Sequence, residues 1–562
     1  MIVFMKSSTI CNKQKVMETK FLDFSKSLQI SKTLASLVSQ GFGPQSLQTL
    51  MCTSTGQVLI TNNGATIFNA LHISHPVGKL VVEAINKMTQ YTGDGSKVFI
   101  LMLTEILQQI DCHCCESDRG RLIRGITHFN EHIFHNLQEH VLKYSRTCTL
   151  SDDKRAFCES FKGVFRSVLS PHYSVKVVES LTSTLTSSLN FDLSSSRFLE
   201  QVSIMTQNFS QMVIKTIGPS ITESTTLESF IIQRDLATHF EMCHVDYVKF
   251  VVLMCPIEGH LNSEDGECIR LSTDNNLISF MKYQRIRMEK FAYMCKDQNI
   301  GLVISTIGVP KYCLQVLSSH KISVIHFVEE EDSMFLSQMW KKSLVFEFPE
   351  ERFAEREIFV ASSCKKVIIN GKACVQVTPS GEQVAPFTKT LLLTAPTDGL
   401  CAQLYTVSHK AIKAAYLSLN PTNSLQGTED DCTSITVQGG ACFELISSDF
   451  LLKCSKSKIH DEDLLITKIL GNAFLSVART LHRNVSEKTQ NQAHDFYVKL
   501  SNIKRDLNSS KCRAFDRRGA LKDMENIGVL EALSVKFHVV SCVLHLLHSI
   551  LKTDSIIGVK NK

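Results

Sequence analysis

Apolar positions in the first hundred residues switch between a helical and a strand-like period. Over residues 21–40, Phe24, Leu28, Ile30, Leu34, Leu37 and Val38 recur at helical spacing, and Gly41-Phe42-Gly43-Pro44 stops that helix. Residues 49–52 and 57–60 read as a β-hairpin around Thr53-Ser54-Thr55-Gly56. His75-Pro76 opens a helix over 76–90, with Val77, Leu80, Val81, Ala84, Ile85 and Met88 on one face. Residues 98–103 are apolar all round, as suits a helix buried at a domain centre.

The middle of the chain changes character. Residues 247–254, 301–305 and 322–327 are β-rich, and helical patterns over 277–295 and 310–319 separate them. Further strands are expected over 365–369 and 388–393. From residue 408 the pattern is helical again, through a long segment over 530–551 to a short strand over 555–559. This order predicts one domain built from both chain ends, with an α/β domain of roughly 130 to 150 residues threaded through it. No fixed-period repeat points to a solenoid.

At 562 residues the chain exceeds one ordinary core, so three or so domains are expected. A content of 43% hydrophobic and 20% charged residues is that of a folded protein, and a net charge of +5 is too weak to argue for nucleic acid. The N-terminal apolar run has no basic region before it, and the apolar run 539–551, interrupted by His545 and His548, is short for a bilayer. A soluble, cytoplasmic protein without membrane insertion is the expectation. The twenty cysteines lie scattered in apolar segments (Cys295, Cys313 and Cys374 among them) and read as reduced thiols. Cys112-His113-Cys114-Cys115 has no second paired cluster to complete a zinc site. His538, His545 and His548 on one helix read as ordinary histidines, and Glu329-Glu330-Glu331-Asp332 as a solvated loop.

Candidate chemistry sits in two glycine punctuations, Asn62-Asn63-Gly64-Ala65-Thr66-Ile67 and Thr92-Gly93-Asp94-Gly95-Ser96-Lys97. Each lies where an apolar segment hands over to a helix, a geometry that turns backbone N–H groups toward an anion. A carboxylate between two glycines would repel phosphate directly, so Asp94 reads as the holder of a cation that the phosphate also touches. Gly95-Ser96-Lys97 lacks the spacing of a P-loop.

In order and spacing these segments resemble the group II chaperonins, the family of the cytosolic ring chaperonin and the archaeal thermosome. Its L-G-P-x-G turn is matched by Phe42-Gly43-Pro44, its I-T-N-D-G-A-T-I segment by residues 60–67, its H-P helix by His75-Pro76, and its G-D-G-T-T-T by Gly93-Asp94-Gly95-Ser96. Toward the C-terminus, Gly439-Gly440-Ala441 resembles the second glycine turn, Ala478-Arg479-Thr480-Leu481 the P-R-T-L helix, and residues 523–559 the closing helix and strand. The divergent Bardet-Biedl chaperonin-like branch fits best.

The resemblance implies an α/β multidomain fold with a mainly helical equatorial domain (1–145 and 406–562), a small intermediate domain (146–222 and 359–405) and an inserted apical domain (223–358). It implies ATP and Mg²⁺ as cofactors. Gly43, Pro44, Asn63, Gly64, Gly93, Asp94, Gly95, Ser96, Lys97, Gly439, Gly440 and Glu531 would line the nucleotide, with Asp94 on the metal and Glu531 on the ribose. It implies ring-chaperonin subunits and sister Bardet-Biedl chaperonin-like proteins as partners. Subunits of the ciliary cargo-coat complex would be clients, with a location near centrosome, basal body and cilium.

Two departures bear on turnover. The family's N-D-G aspartate is Asn63 here, and an amide cannot take a proton. The second catalytic aspartate, from an H-D-A-L helix, is matched to Thr406 within the segment 404–409, with His409 the nearest potential base. Losing a general base costs ~10²–10⁴-fold. The expectation is therefore a chaperone that binds ATP and hydrolyses it poorly, the alternative being an ATP-hydrolysing ring subunit that folds clients. Lys97 replaces a threonine and adds positive charge beside the phosphates.

Overall fold

Side chains from residues 28–141 and 437–551 bury themselves in one shared core in the computed structural model. The structure describes residues 16–21, 24–52, 58–115, 118–238, 247–257, 274–349, 351–380, 389–419, 432–456, 461–486, 492–509 and 512–560. The turn expected over 53–56 lies outside them. Helix Ser96–His113 forms the centre of the core, with Phe99, Ile100, Met102 and Leu103 all buried. Helices Phe24–Ser39, Asp461–Val485 and Leu533–Lys552 pack around it. The first and last described strands, Val16–Phe21 and Ser555–Lys560, pair antiparallel and bring the two ends of the chain together.

The chain leaves this helical body through strand Val213–Ile217 and returns through Thr390–Ala395, and the two lie parallel in one small sheet. Between them is a six-stranded sheet in the order Ser323–Ile325, Ile300–Ser305, Val248–Leu253, Phe359–Ile369, Lys372–Pro379 and Phe230–Ile232. The first three strands are parallel and connected by helices Asp274–Asp297 and Lys311–Ser319, a βαβαβ unit. The last three are antiparallel. An α/β unit inserted into a helical one is thus the observed architecture.

Several local expectations shift. The strand expected over 322–327 shortens to Ser323–Ile325, because Phe327 takes a left-handed backbone (φ 57°) that breaks the ladder. The helix expected over 530–551 begins as strand Leu530–Ala532, which pairs with Thr433–Gln438 in the register Val437↔Glu531. The helical return begins at Asp398, where the Thr397 side chain accepts from Leu400 N. Glu330, Glu331 and Asp332 form the first turn of helix Glu330–Trp340, where carboxylates suit the helix dipole, and are no loop. Cys442 and Cys512 are joined in a disulfide, against the expectation of reduced thiols. Helices Leu464–Val485 and Leu533–Lys552 are long and apolar enough to cross a membrane, which corrects the shorter run seen in the sequence. Here 61% and 50% of their apolar windows are buried inside the protein.

A candidate nucleotide site with two lysines

Close approach brings the two glycine punctuations together. A Cβ on Gly64 would lie 2.6 Å from Ser96 Oγ and 3.2 Å from Lys97 Cγ, so the start of helix Gly64–Ala70 rests on the start of Ser96–His113. Helix Pro76–Thr92 is capped at its start by His75 Nδ1, which accepts from Val77 N, and at its end by Gly93 with φ 76°. Gly95 has φ 100° and sits against Val539, 2.5 Å from where a Cβ would stand. Only glycine meets both demands there. Asp94 is therefore held between two left-handed residues, with Thr92 Oγ1 donating to its backbone carbonyl at 2.6 Å.

The first turn reaches this place through side chains. Gly43, at φ 100° against Leu481, follows a helix end held by Asn484, which donates to Ser39 O (2.6 Å) and Phe42 O (2.9 Å). Lys97 Nζ donates to Gly41 O and Asn62 Oδ1, both at 2.5 Å, and so ties the two turns. Asn62 is buried and donates in turn to Ser46 Oγ. Asn63 donates to Thr66 Oγ1 at 2.8 Å, while its Oδ1 is buried without a partner. Arg517 donates to Pro44 O, Ser170 O and Tyr173 O, which brings the 170–173 turn and its His172 to the site.

The fourth side comes from helix Asp398–Ser418. Thr406 is exposed and donates to Ala402 O within its own helix, so it takes no part. His409 faces elsewhere, 3.3 Å from Thr206 O and stacked on Phe209 at 4.8 Å. Lys410 is the residue placed beside Asp94, with its Cα 3.6 Å from where a Gly93 Cβ would stand. Thr406, the residue the sequence matched to the family aspartate, thus lies one helical turn from Lys410, which stands beside Asp94 and follows a histidine.

The charges act on one another across the cleft. Burial pushes the Asp94 carboxyl up, but Lys410, the Gly95 N–H, Lys97 and His172 together hold it below the usual carboxylate value. Asp94 is nevertheless solvent-accessible, as a group on the wall of a cleft is. Burial lowers Lys97 to about 8 and, with the two lysines nearby, His172 to about 4, so the imidazole is neutral at pH 7. Lys410 is lowered by burial and partly restored by Asp94.

The returning half supplies the opposite wall. Gly440 has φ 70°, and a Cβ there would meet Phe515 O at 2.4 Å. Gly439 lies beside Glu531, whose carboxylate is 2.7 Å from Lys536 Nζ, and Lys536 also donates to buried Glu444 at 2.9 Å. Burial and the charges of Glu444 and Asp94 raise Glu531 despite Lys536. Burial alone would lower Lys536, yet the two carboxylates outweigh it. Lys410, His172, Lys536 and Glu444 were not singled out from the sequence.

Two glycine-rich helix starts and two cations suit a polyphosphate. Asn63 can serve it too. Thr66 Oγ1 can donate as well as accept, so the amide can be turned over, which would leave its NH₂ as the unpartnered group. A divalent metal fits less well. The charges of two lysines act on Asp94, and the described residues contain no cluster of three metal-ligating side chains.

Residues 34–561 match the TCP-1/cpn60 chaperonin family. The chain is 20% identical over 529 residues to the thermosome subunit beta of Methanothermobacter thermautotrophicus, covering 94% of this chain and 90% of that one. It is 21% identical over 549 residues to human T-complex protein 1 subunit theta, covering 95% and 91%. The BBSome complex assembly protein BBS10 of Pongo abelii is 22% identical over 427 residues, or 69% of this chain and 56% of the relative. The match thus spans little more than half the length of that relative. A family match from residue 34 to residue 561, on a helical body with an inserted α/β unit, places the chain in the TCP-1/cpn60 chaperonin family, a nucleotide-binding class.

Proposed function

We propose that this protein is a ring-chaperonin subunit that binds ATP between the glycine turns and acts on client proteins through its inserted α/β domain. The observation that carries the reading is the close approach of Gly64 to Ser96 and Lys97 beside the Gly93-Asp94-Gly95 turn, with the charge of Asp94 felt at Glu531 next to Gly439. Matches covering nine-tenths of a thermosome and a T-complex subunit support a ring subunit over a free-standing nucleotide binder. In this reading 1–145 and 406–562 form the equatorial domain, 146–222 and 359–405 the intermediate domain, and 223–358 the apical domain. Asp94 is where the resemblance would put Mg²⁺, but the two lysines acting on it suit that ion poorly, and no step is routed through it. The chain's own residues position the phosphates, but no carboxylate stands where Asn63 and Lys410 are. Turnover is accordingly slow.

A second reading is assembly of ciliary complexes. It is supported by the name of the BBS10 relatives, and would bring sister chaperonin-like proteins, ring subunits and coat subunits as partners, in the cytoplasm and at the basal body. Electron microscopy of the purified chain with ATP tests the first reading. A ring of these subunits, alone or with ring-chaperonin subunits, is expected. A monomer that neither joins such a ring nor suppresses aggregation of an unfolded test protein would refute it. Recovery of coat subunits with the tagged chain from ciliated cells would favour the second reading.

A further inference from the structure

The cleft holds two cations where a metal-dependent nucleotide site would hold carboxylates. Lys97 is fixed, with its ammonium donating to Gly41 O and Asn62 Oδ1 at 2.5 Å between the two phosphate-facing turns. Lys410 is fixed by its backbone, packed on the Gly93 turn of the opposite helix. Among the described residues no ion pair joins either lysine to Asp94, although their charges act on one another. Asn63 Oδ1 and His172 Nδ1 are buried there without hydrogen-bond partners.

From this geometry we propose that Lys97 and Lys410 replace the divalent cation, so that the site binds a nucleoside triphosphate free of metal. The inference rests on the nucleotide reading above. Two ammonium groups carry the charge of one divalent ion, and both stand beside the turns whose N–H groups meet the phosphates. Mg²⁺ asks for near-octahedral oxygen ligands, usually one or two carboxylates besides phosphate and water. Asp94 alone offers that, and two lysines already act on it. A metal-bound nucleotide would carry its dication into a field set by these lysines, whereas the bare polyanion is complementary to it.

The test is calorimetric titration of the full chain with ATP, once in excess Mg²⁺ and once in EDTA, with thermal unfolding of every variant. For the parent the two dissociation constants should agree within about threefold, or EDTA should give the tighter one. Lys410→Met should weaken binding in EDTA by about tenfold or more, with less effect in Mg²⁺. Lys410→Asp should convert the site to Mg²⁺ dependence, and Lys97→Thr should act in the same direction as Lys410→Met. If the parent loses about tenfold or more on chelation, or a folded Lys410→Met binds metal-free ATP as the parent does, the metal-replacement inference is overturned and the nucleotide reading stands. Should the folded parent bind ATP under neither condition, the nucleotide reading itself falls, and this inference with it.

Discussion

Lys410 faces Asp94 across the cleft, its backbone packed on the Gly93 turn that precedes the aspartate. The pair couples the helix Asp398–Ser418, which leads back from the inserted unit, to the turn that starts the central core helix.

That pairing predicts a gain of function. Replacing Asn63 and Lys410 together by aspartate restores carboxylates at both positions, and ATP turnover in Mg²⁺ should rise by about 10²-fold, since a positioned base contributes ~10²–10⁴-fold. Phosphate release from the purified double variant measures it, and a rate equal to the parent's would show that slow turnover has another cause.

Gly440→Ala tests the returning turn. Alanine pays the left-handed backbone cost at φ 70° and meets Phe515 O at 2.4 Å, backbone that cannot swing aside. A loss of about 2–4 kcal/mol in denaturant unfolding is expected, with weakened ATP binding.

Lys536→Met strands two acidic neighbours, one of them Glu444 at 2% exposure. Breaking a buried pair from one side costs about 3–5 kcal/mol, and adding Glu444→Gln should recover part of it. Equal stabilities of the single and double variants in a urea titration would contradict the coupling.

Asp332 gives a pH signature in the inserted unit. Burial, with Glu329 and Glu331 nearby, raises its carboxyl to about 6 despite Arg234. A folded-state value above the unfolded one means the folded protein holds the proton more tightly, so this group's contribution is full below the unfolded value and is lost as pH rises from about 4 to about 6. Asp332→Asn should therefore stabilise the protein at pH 7.5 relative to the parent, by on the order of 1 kcal/mol after discounting for partial exposure. The advantage should vanish near pH 4. Melting curves at the two pH values decide it.

Glycine punctuation was legible because its cause is local. Gly93 and Gly95 need positive φ, and Gly64 leaves room for Ser96, constraints that any sequence adopting these turns carries openly. The core helices were legible through their periodicity, as in Pro76–Thr92. Strand Leu530–Ala532 was not, since its pairing partner Thr433–Gln438 lies about a hundred residues away and three residues show no period of their own. Lys410 was missed for a related reason. Which turn of a helix faces a site depends on the packing of that helix, and Thr406 and Lys410 are one turn apart on the same apolar-rich segment. The Glu531–Lys536–Glu444 group joins residues from a strand and two helices, and only their packing brings them within 2.9 Å of a common ammonium.

The most direct test of the account is an electron-microscopy map of the full chain with ATP bound. The nucleotide phosphates should lie between the Gly64 and Gly93–Lys97 turns, with Lys410 turned toward them and Gly439 and Glu531 on the far wall. A map in which the subunit stands in a ring with that cleft filled by side chains, or with the nucleotide elsewhere, would contradict the assignment of the site.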